Sequence, residues 1–190
     1  MKTKMKLLVA LFFVATMAGY SQQNVALSLL KNVNISYGYN KTDTYKWTNM
    51  GIGTQYGENI RFLPKAYWAV LPSVNYSSYT FYNSSYFGSG DVSTTSIALP
   101  FIVGYRLLQT QYLNLNVYTG PHLEYIFYSN SDNDNLKDVE RFQAGWRVGA
   151  NISLMRNLGL TVSYAYYPTK LYRHGDFTRD SFSVSLGVGF

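Results

Sequence analysis

The chain has 190 residues, a formal net charge of +6, 17% aromatic residues with 19 tyrosines among them, and only 14% charged residues. It has no cysteine, which excludes disulfides and a lipid-modified cysteine anchor. Its basic residues are scattered, and three lysines belong to an N-terminal leader whose loss takes the charge from +6 to +3, so no nucleic-acid footprint is present.

The leader comes first. Lys2, Lys4 and Lys6 precede the apolar run Leu7–Ala18 and a stretch of small residues. This is the order of a secretory signal peptide, and the run falls short of the ~20 apolar residues of a spanning helix. Cleavage is expected after Ser21, with Ala18 as the alternative, giving a signal peptide over 1–21 and one domain over 22–190. Gln22–Asn32 is a short lead-in.

Alternating segments then recur. Val33–Asn40 sets Val33, Ile35, Tyr37 and Tyr39 against Asn34, Ser36, Gly38 and Asn40. A polar loop is expected over Lys41–Asn49, a second strand over Met50–Phe62, a tight turn at Pro64-Lys65, and a third strand over Ala66–Phe81. Leu71 interrupts the small-polar face of that third strand. After a Ser/Gly/Asn-rich loop, Asn83–Ser93, come Thr94–Leu107, a short connection at Gln109–Gln111, and Leu113–Tyr128. An acidic loop, Ser129–Asp138, precedes Val139–Leu154, and Arg156-Asn157 turn into Gly159–Tyr172. A last loop, Tyr172–Arg179, leads to Ser181–Phe190, where Phe182, Val184, Leu186, Val188 and Phe190 alternate with Ser and Gly alone.

That reading gives eight strands joined by alternately long and short connections, an all-β, up-and-down antiparallel transmembrane β-barrel. Lipid at the large apolar face and a narrow interior at the Ser/Gly face account for the pattern. Without a helical span after the leader, only a closed barrel can cross a membrane. The rival, a secreted soluble barrel of lipocalin type, would put the Gly, Ser and Asn face in water, where long charged residues are expected instead. Trp68, Tyr105, Tyr125, Tyr164 and Tyr166 near strand ends fit interfacial girdles.

By parity, Arg61, Arg106, Arg141, Arg147, His122 and Glu124 point inward, with Asn114, Asn116, Gln143 and Asn151. Eight strands leave an interior that side chains roughly fill, so these charges must pair. Glu124 is expected to pair with Arg141 or Arg147, plugging the barrel and setting its register; a gated pore is the functional alternative. Asp132, Asp134, Asp138 and Glu140 lack EF-hand spacing and read as a solvated loop. Arg173-His174-Gly175-Asp176 offers His and Asp as sequence neighbours, an arrangement that rarely forms a triad. Lys137, Lys170, Arg173 and Arg179 fall at the outer rim, where lipopolysaccharide phosphates would meet them.

Ser96-Ile97-Ala98-Leu99-Pro100, Tyr118-Thr119-Gly120-Pro121, Gly145–Asn151 and the closing Gly187-Val188-Gly189-Phe190 resemble the outer membrane protein beta-barrel domain family. The likeness includes PorT-like proteins, with the OmpA/OmpX eight-stranded barrel as the wider relative, and runs over essentially the whole chain after the leader. It implies recognition of the closing strand by the barrel-assembly machinery, with Phe190 as the terminal aromatic. It also implies an accessory part in an envelope secretion or assembly complex, and it supplies no catalytic residues.

The expected protein is thus an integral outer-membrane barrel with a structural or interaction role. It meets lipid and lipopolysaccharide and an envelope protein partner, and presents the loops Lys41–Asn49, Asn83–Ser93 and Ser129–Asp138. No cofactor, metal or enzymatic activity is expected. The alternative is a small pore or transporter, and an enzyme would need His174.

Overall fold

The computed structural model describes residues 33–84, 88–132, 138–154, 158–171 and 178–188. The expected leader and lead-in, the Arg156-Asn157 turn and Phe190 lie outside the described residues. The strands are β1 (Val33–Lys41), β2 (Tyr45–Thr54), β3 (Tyr56–Ile60), β4 (Leu63–Val70), β5 (Ser73–Ser84), β6 (Gly88–Gln109), β7 (Leu113–Ser131), β8 (Phe142–Leu154), β9 (Leu158–Lys170) and β10 (Thr178–Val188). All pair antiparallel, and β10 returns to β1, from Val33 opposite Val188 to Tyr39 opposite Phe182, closing the sheet. β2 and β3 are one wall strand broken at Gln55, and β4 and β5 another broken at Leu71-Pro72. The wall is therefore an eight-stranded barrel.

The second break has a simple cause. Pro72 has no N–H to give the ladder. The neighbouring groups find partners nonetheless: the Thr54 amide donates to the Pro72 carbonyl and the Leu71 amide to the Pro100 carbonyl, both at 3.0 Å. Pro121 on β7 faces Phe101, just beyond Pro100 on β6, and the ladder between those two strands is interrupted there. Register followed strand by strand from Val188 through β1, β2, β5, β6, β7, β8 and β9 returns to β10 near Thr178, at its opposite end. That stagger is the shear a tilted barrel requires.

Several expected loops are strand. β1 and β2 are joined by Thr42–Thr44 alone, so most of Lys41–Asn49 belongs to the wall. β6 begins at Gly88 and β7 runs to Ser131, taking in parts of both other expected loops. The reason is a change of surroundings along each strand. Beyond the bilayer the outer face meets water, so Lys46 and Thr48 point out while Tyr45 and Trp47 point in. The turn between β3 and β4 is Arg61-Phe62; Pro64 and Lys65 lie in β4, before its pairing with β6 begins at Ala66.

Across the middle of the wall Ile35, Met50, Phe101, Val148 and Leu186 are exposed, whereas Ser77, Ser96, Ser163 and Ser181 are buried. Apolar side chains face lipid and small polar ones face inward, the reverse of a soluble barrel. Trp68, Tyr105, Tyr125, Tyr164 and Tyr166 are all exposed, as girdle residues must be. On the lipid side Trp146 Nε1 donates to Thr119 Oγ1 at 2.7 Å, which satisfies an indole that lipid cannot.

Four of the inward glycines seat aromatic rings. Trp47 lies against Gly38, Tyr67 against Gly104, Tyr167 against Gly145 and Tyr118 against Gly149, each ring coming from a neighbouring strand and occupying the space a Cβ would take. Glycine thus fills this interior with its neighbours' rings and does not open it. Gly104→Ala is expected to cost about 1–3 kcal/mol through overpacking against Tyr67. Urea titration of the folded barrel in vesicles measures this, and adding Tyr67→Leu in the same chain should restore most of the loss.

Candidate functional site

The interior is built in layers. Nearest the extracellular end, Tyr45, Trp47, Tyr79, Phe81, Val92, Ile126 and Leu171 form a buried cluster inside the wall. Tyr79 and Phe81 stack with ring centroids 6.4 Å apart, and Trp47 lies tilted 6.5 Å from Tyr79. A bulge where Thr95 and Ser96 meet Tyr128 and Ile126 keeps Ile126 turned inward while Phe127 and Tyr128 both face out.

Directly below sits an ion pair between Arg179 of β10 and Glu124 of β7, strands with two others between them in the sheet, so the pair reaches across the lumen. Their side chains are 1% and 4% exposed, which makes this a buried pair. Every neighbour serves it. Ser96 Oγ donates to Glu124 Oε1 at 2.5 Å, and Arg179 Nη1 donates to the Tyr79 hydroxyl at 2.7 Å. The guanidinium lies 3.8 Å from the centre of the Tyr167 ring, whose hydroxyl hydrogen-bonds His122 Nε2 at 2.9 Å. Next to Arg179, Asp180 turns to the rim, where its carboxylate takes Asn40 Nδ2 at 2.7 Å and the Tyr164 hydroxyl at 3.2 Å.

The six expected lumen residues divide. His122 and Glu124 are deeply buried, Arg147 is half-buried beside them, and Arg106 is half-buried near the periplasmic mouth. Arg61 is exposed in the β3–β4 turn and Arg141 is exposed ahead of β8, so neither is a lumen group. Glu124 pairs with Arg179 and with neither Arg141 nor Arg147. Arg179, expected at the outer rim, is the most enclosed cation described. Its position follows from strand length: β10 starts at Thr178, so Arg179 shares the inward face of Ser181 and Ser183, and the stagger of the wall sets it level with Glu124. Extending the alternation of the closing strand two residues further back is the signal that finds it. Tyr79 is likewise readable as the inward partner of Ser77 and Phe81.

A small cavity of about 60 Å³ lies under the pair, lined on one side by serines and asparagines of β1, β2, β5, β9 and β10 and on the other by His122, Glu124 and Arg147. Below it Tyr67, Ala69, Ile102 and Tyr118 make a second buried cluster, against which Leu71 packs. The residue that breaks the third strand's alternation is thus an interior filler. Beneath lies a cavity of about 280 Å³ reaching Gln109 and Asn114, which flank the β6–β7 turn, so it faces the periplasm.

Asp134, Lys137, Arg173, His174 and Asp176 lie outside the described residues. Lys170 ends β9 and is exposed.

The profile of the outer membrane protein beta-barrel domain family matches residues 12–168. Among solved structures, the outer membrane enzyme PagL is similar with a TM-score of 0.56 at 12% identity, over 84% of this chain and 99% of that one. Neisserial surface protein A matches with a TM-score of 0.45 at 16% identity, over 84% and 95%. Ail of Yersinia pestis matches with a TM-score of 0.38 at 17% identity, over 84% and 95%. No curated protein matches.

Removing one member of a buried ion pair strands the other charge. Glu124→Ala is expected to cost about 3–5 kcal/mol, whereas Glu124→Leu combined with Arg179→Met should recover most of that loss. Denaturation midpoints of the three proteins in the same lipid decide it, and an unchanged midpoint for Glu124→Ala would remove the pair from any stabilising role.

Proposed function

We infer the task of this chain from a fixed premise: it belongs to the outer membrane protein beta-barrel domain family and resides in the outer membrane. The protein is a structural or interaction barrel, closed to passage, that presents its extracellular end as a binding surface. The observation that carries this is the Glu124–Arg179 pair beneath the aromatic cluster of Tyr45, Trp47, Tyr79 and Phe81. Two unlike layers, one apolar and one ionic, stand in series across a bore that eight strands already make narrow. A hydrated ion would have to part an ion pair and displace stacked rings to pass.

The PorT-like features of the sequence add a finer version, an accessory component of an envelope secretion or assembly complex. Lipid and lipopolysaccharide surround the wall, and the barrel-assembly machinery reads the closing strand during insertion. The role is non-catalytic. PagL is an enzyme, but a likeness at 12% identity is one of fold. Here His122 is enclosed with its Nε2 on Tyr167, out of reach of a lipid at the outer wall.

The wild-type protein in a planar bilayer is expected to give no steady channels; regular conductance would favour the small-pore alternative and end the plug reading. Cross-linking of the tagged protein in its own outer membrane is expected to recover a stoichiometric envelope protein. Recovery with lipid alone would overturn the accessory role.

A further inference from the structure

We propose that the upper cavity, beneath the Glu124–Arg179 pair, binds a small monovalent inorganic anion, chloride being the probe, through the guanidinium of Arg147. The inference goes beyond the plug and does not rest on it, because the charges of the lumen are the same whether or not the barrel conducts.

Charge comes first. Glu124, Arg179 and Arg147 line this cavity. Glu124 is fully engaged, with Oε1 accepting from Ser96 Oγ at 2.5 Å and Oε2 on Arg179. Those two charges cancel, and the positive charge of Arg147 is left over. No other carboxylate among the described residues lines either cavity. Asp180 is held at the rim by Asn40 and Tyr164. A charge enclosed without a counter-charge is costly, and one monovalent anion restores the balance.

The wall around Arg147 supplies no partner. Along β8 its neighbours on the inward face are Gly145 and Gly149, and its register partners are Gly120 on β7 and Ala165 on β9. None of the four has a side-chain acceptor. Among the described residues no hydrogen bond or ion pair reaches the guanidinium, and its Nε is enclosed without a partner. The two Nη groups differ from Nε. Arg147 is half-buried while pointing inward, and its Nη groups keep accessible surface on the cavity side. An anion meets those groups and has no need of Nε, and it gains charge-assisted hydrogen bonds from them.

The rest of the lining suits the same occupant. Ser36 and Ser185 stand opposite each other in the β1–β10 register, both half-buried on the inward face, and their hydroxyl hydrogens can turn toward an anion. About 60 Å³ accommodates one small ion with a few waters, at roughly 10–15 Å³ for each water. Organic ligands are excluded, since their pockets start near roughly 300 Å³. The upper and lower cavities share Gln55, Leu71, Tyr118 and Thr161 in their linings, which gives a small ion its path from the periplasmic mouth.

The test is urea titration of the folded barrel in vesicles, with chloride replaced stepwise by gluconate, an anion too large for the cavity, at constant ionic strength. The folding equilibrium constant is expected to rise about tenfold for each tenfold rise in chloride above its dissociation constant, the slope of one site on the folded state. Arg147→Met removes the surplus charge and should make the equilibrium independent of chloride. Arg141→Met, at an exposed arginine, should keep the wild-type slope. A flat response of the wild-type protein, or a slope that survives Arg147→Met, overturns the proposal. If Arg147→Met fails to fold, wild-type crystals soaked in bromide decide: an anomalous peak within hydrogen-bond distance of Arg147 Nη supports the site, and its absence there overturns it.

Discussion

Everything in this molecule follows from the hydrogen bonds between its first and last strands. In hydrocarbon no solvent satisfies a backbone group, so the sheet must have no edge. Pairing β1 with β10 over seven residue pairs, Val33 with Val188 to Tyr39 with Phe182, meets that demand and divides every strand into a lipid face and an interior face. The interior of an eight-stranded wall is then too narrow to be left open and too polar to be packed with hydrocarbon alone. The layers described above are the response: rings where the wall rises above the membrane, an ion pair with its hydrogen-bond partners at the next level, and small hydroxyls and amides below.

The ion pair is an expensive device. Desolvating two charges is not repaid by attraction alone, and apolar residues of similar volume are often as stable or more so. What the pair does provide is address. Glu124 is on β7 and Arg179 on β10, so their contact fixes how the two sides of the wall face each other across the lumen, a relation no neighbouring-strand hydrogen bond specifies. Ser96, Tyr79 and Tyr167 bring β5, β6 and β9 into the same knot.

The architecture was legible because lipid imposes a strict period of two: the segments around Ile97–Tyr105 and Phe142–Leu154 read directly as wall, and the family likeness agreed. Legibility failed where the solvent outside the wall changes. Above the bilayer the same strand puts polar residues outward and rings inward, so the pattern around Tyr45, Trp47 and Val92 resembles that of a loop. Arg179 falls in the same zone: its strand starts at Thr178, ahead of the Ser/Gly alternation that marks the closing strand in the sequence. Parity puts Glu124 and His122 on the inward face, where both are buried, and it puts the exposed Arg61 and Arg141 there too, since alternation says nothing about where the wall ends. Partners across the lumen depend on shear, which composition does not encode. The glycines are legible only in part, for the sequence does not show that a neighbour's ring fills the place of the missing side chain, as Tyr67 does at Gly104.

The prolines carry a mechanical consequence. Pro72, Pro100 and Pro121 stand on successive wall strands at nearly one level, and the β6–β7 ladder is interrupted beside the last two. A proline removes a donor from the ladder, so this level is where the cylinder is least laced together. It acts as a crease on one side of an otherwise stiff tube, between the portion knotted by Glu124 and Arg179 and the portion around Arg106. With fewer backbone hydrogen bonds to break at that level, a barrel under strain is expected to part there before it parts above or below.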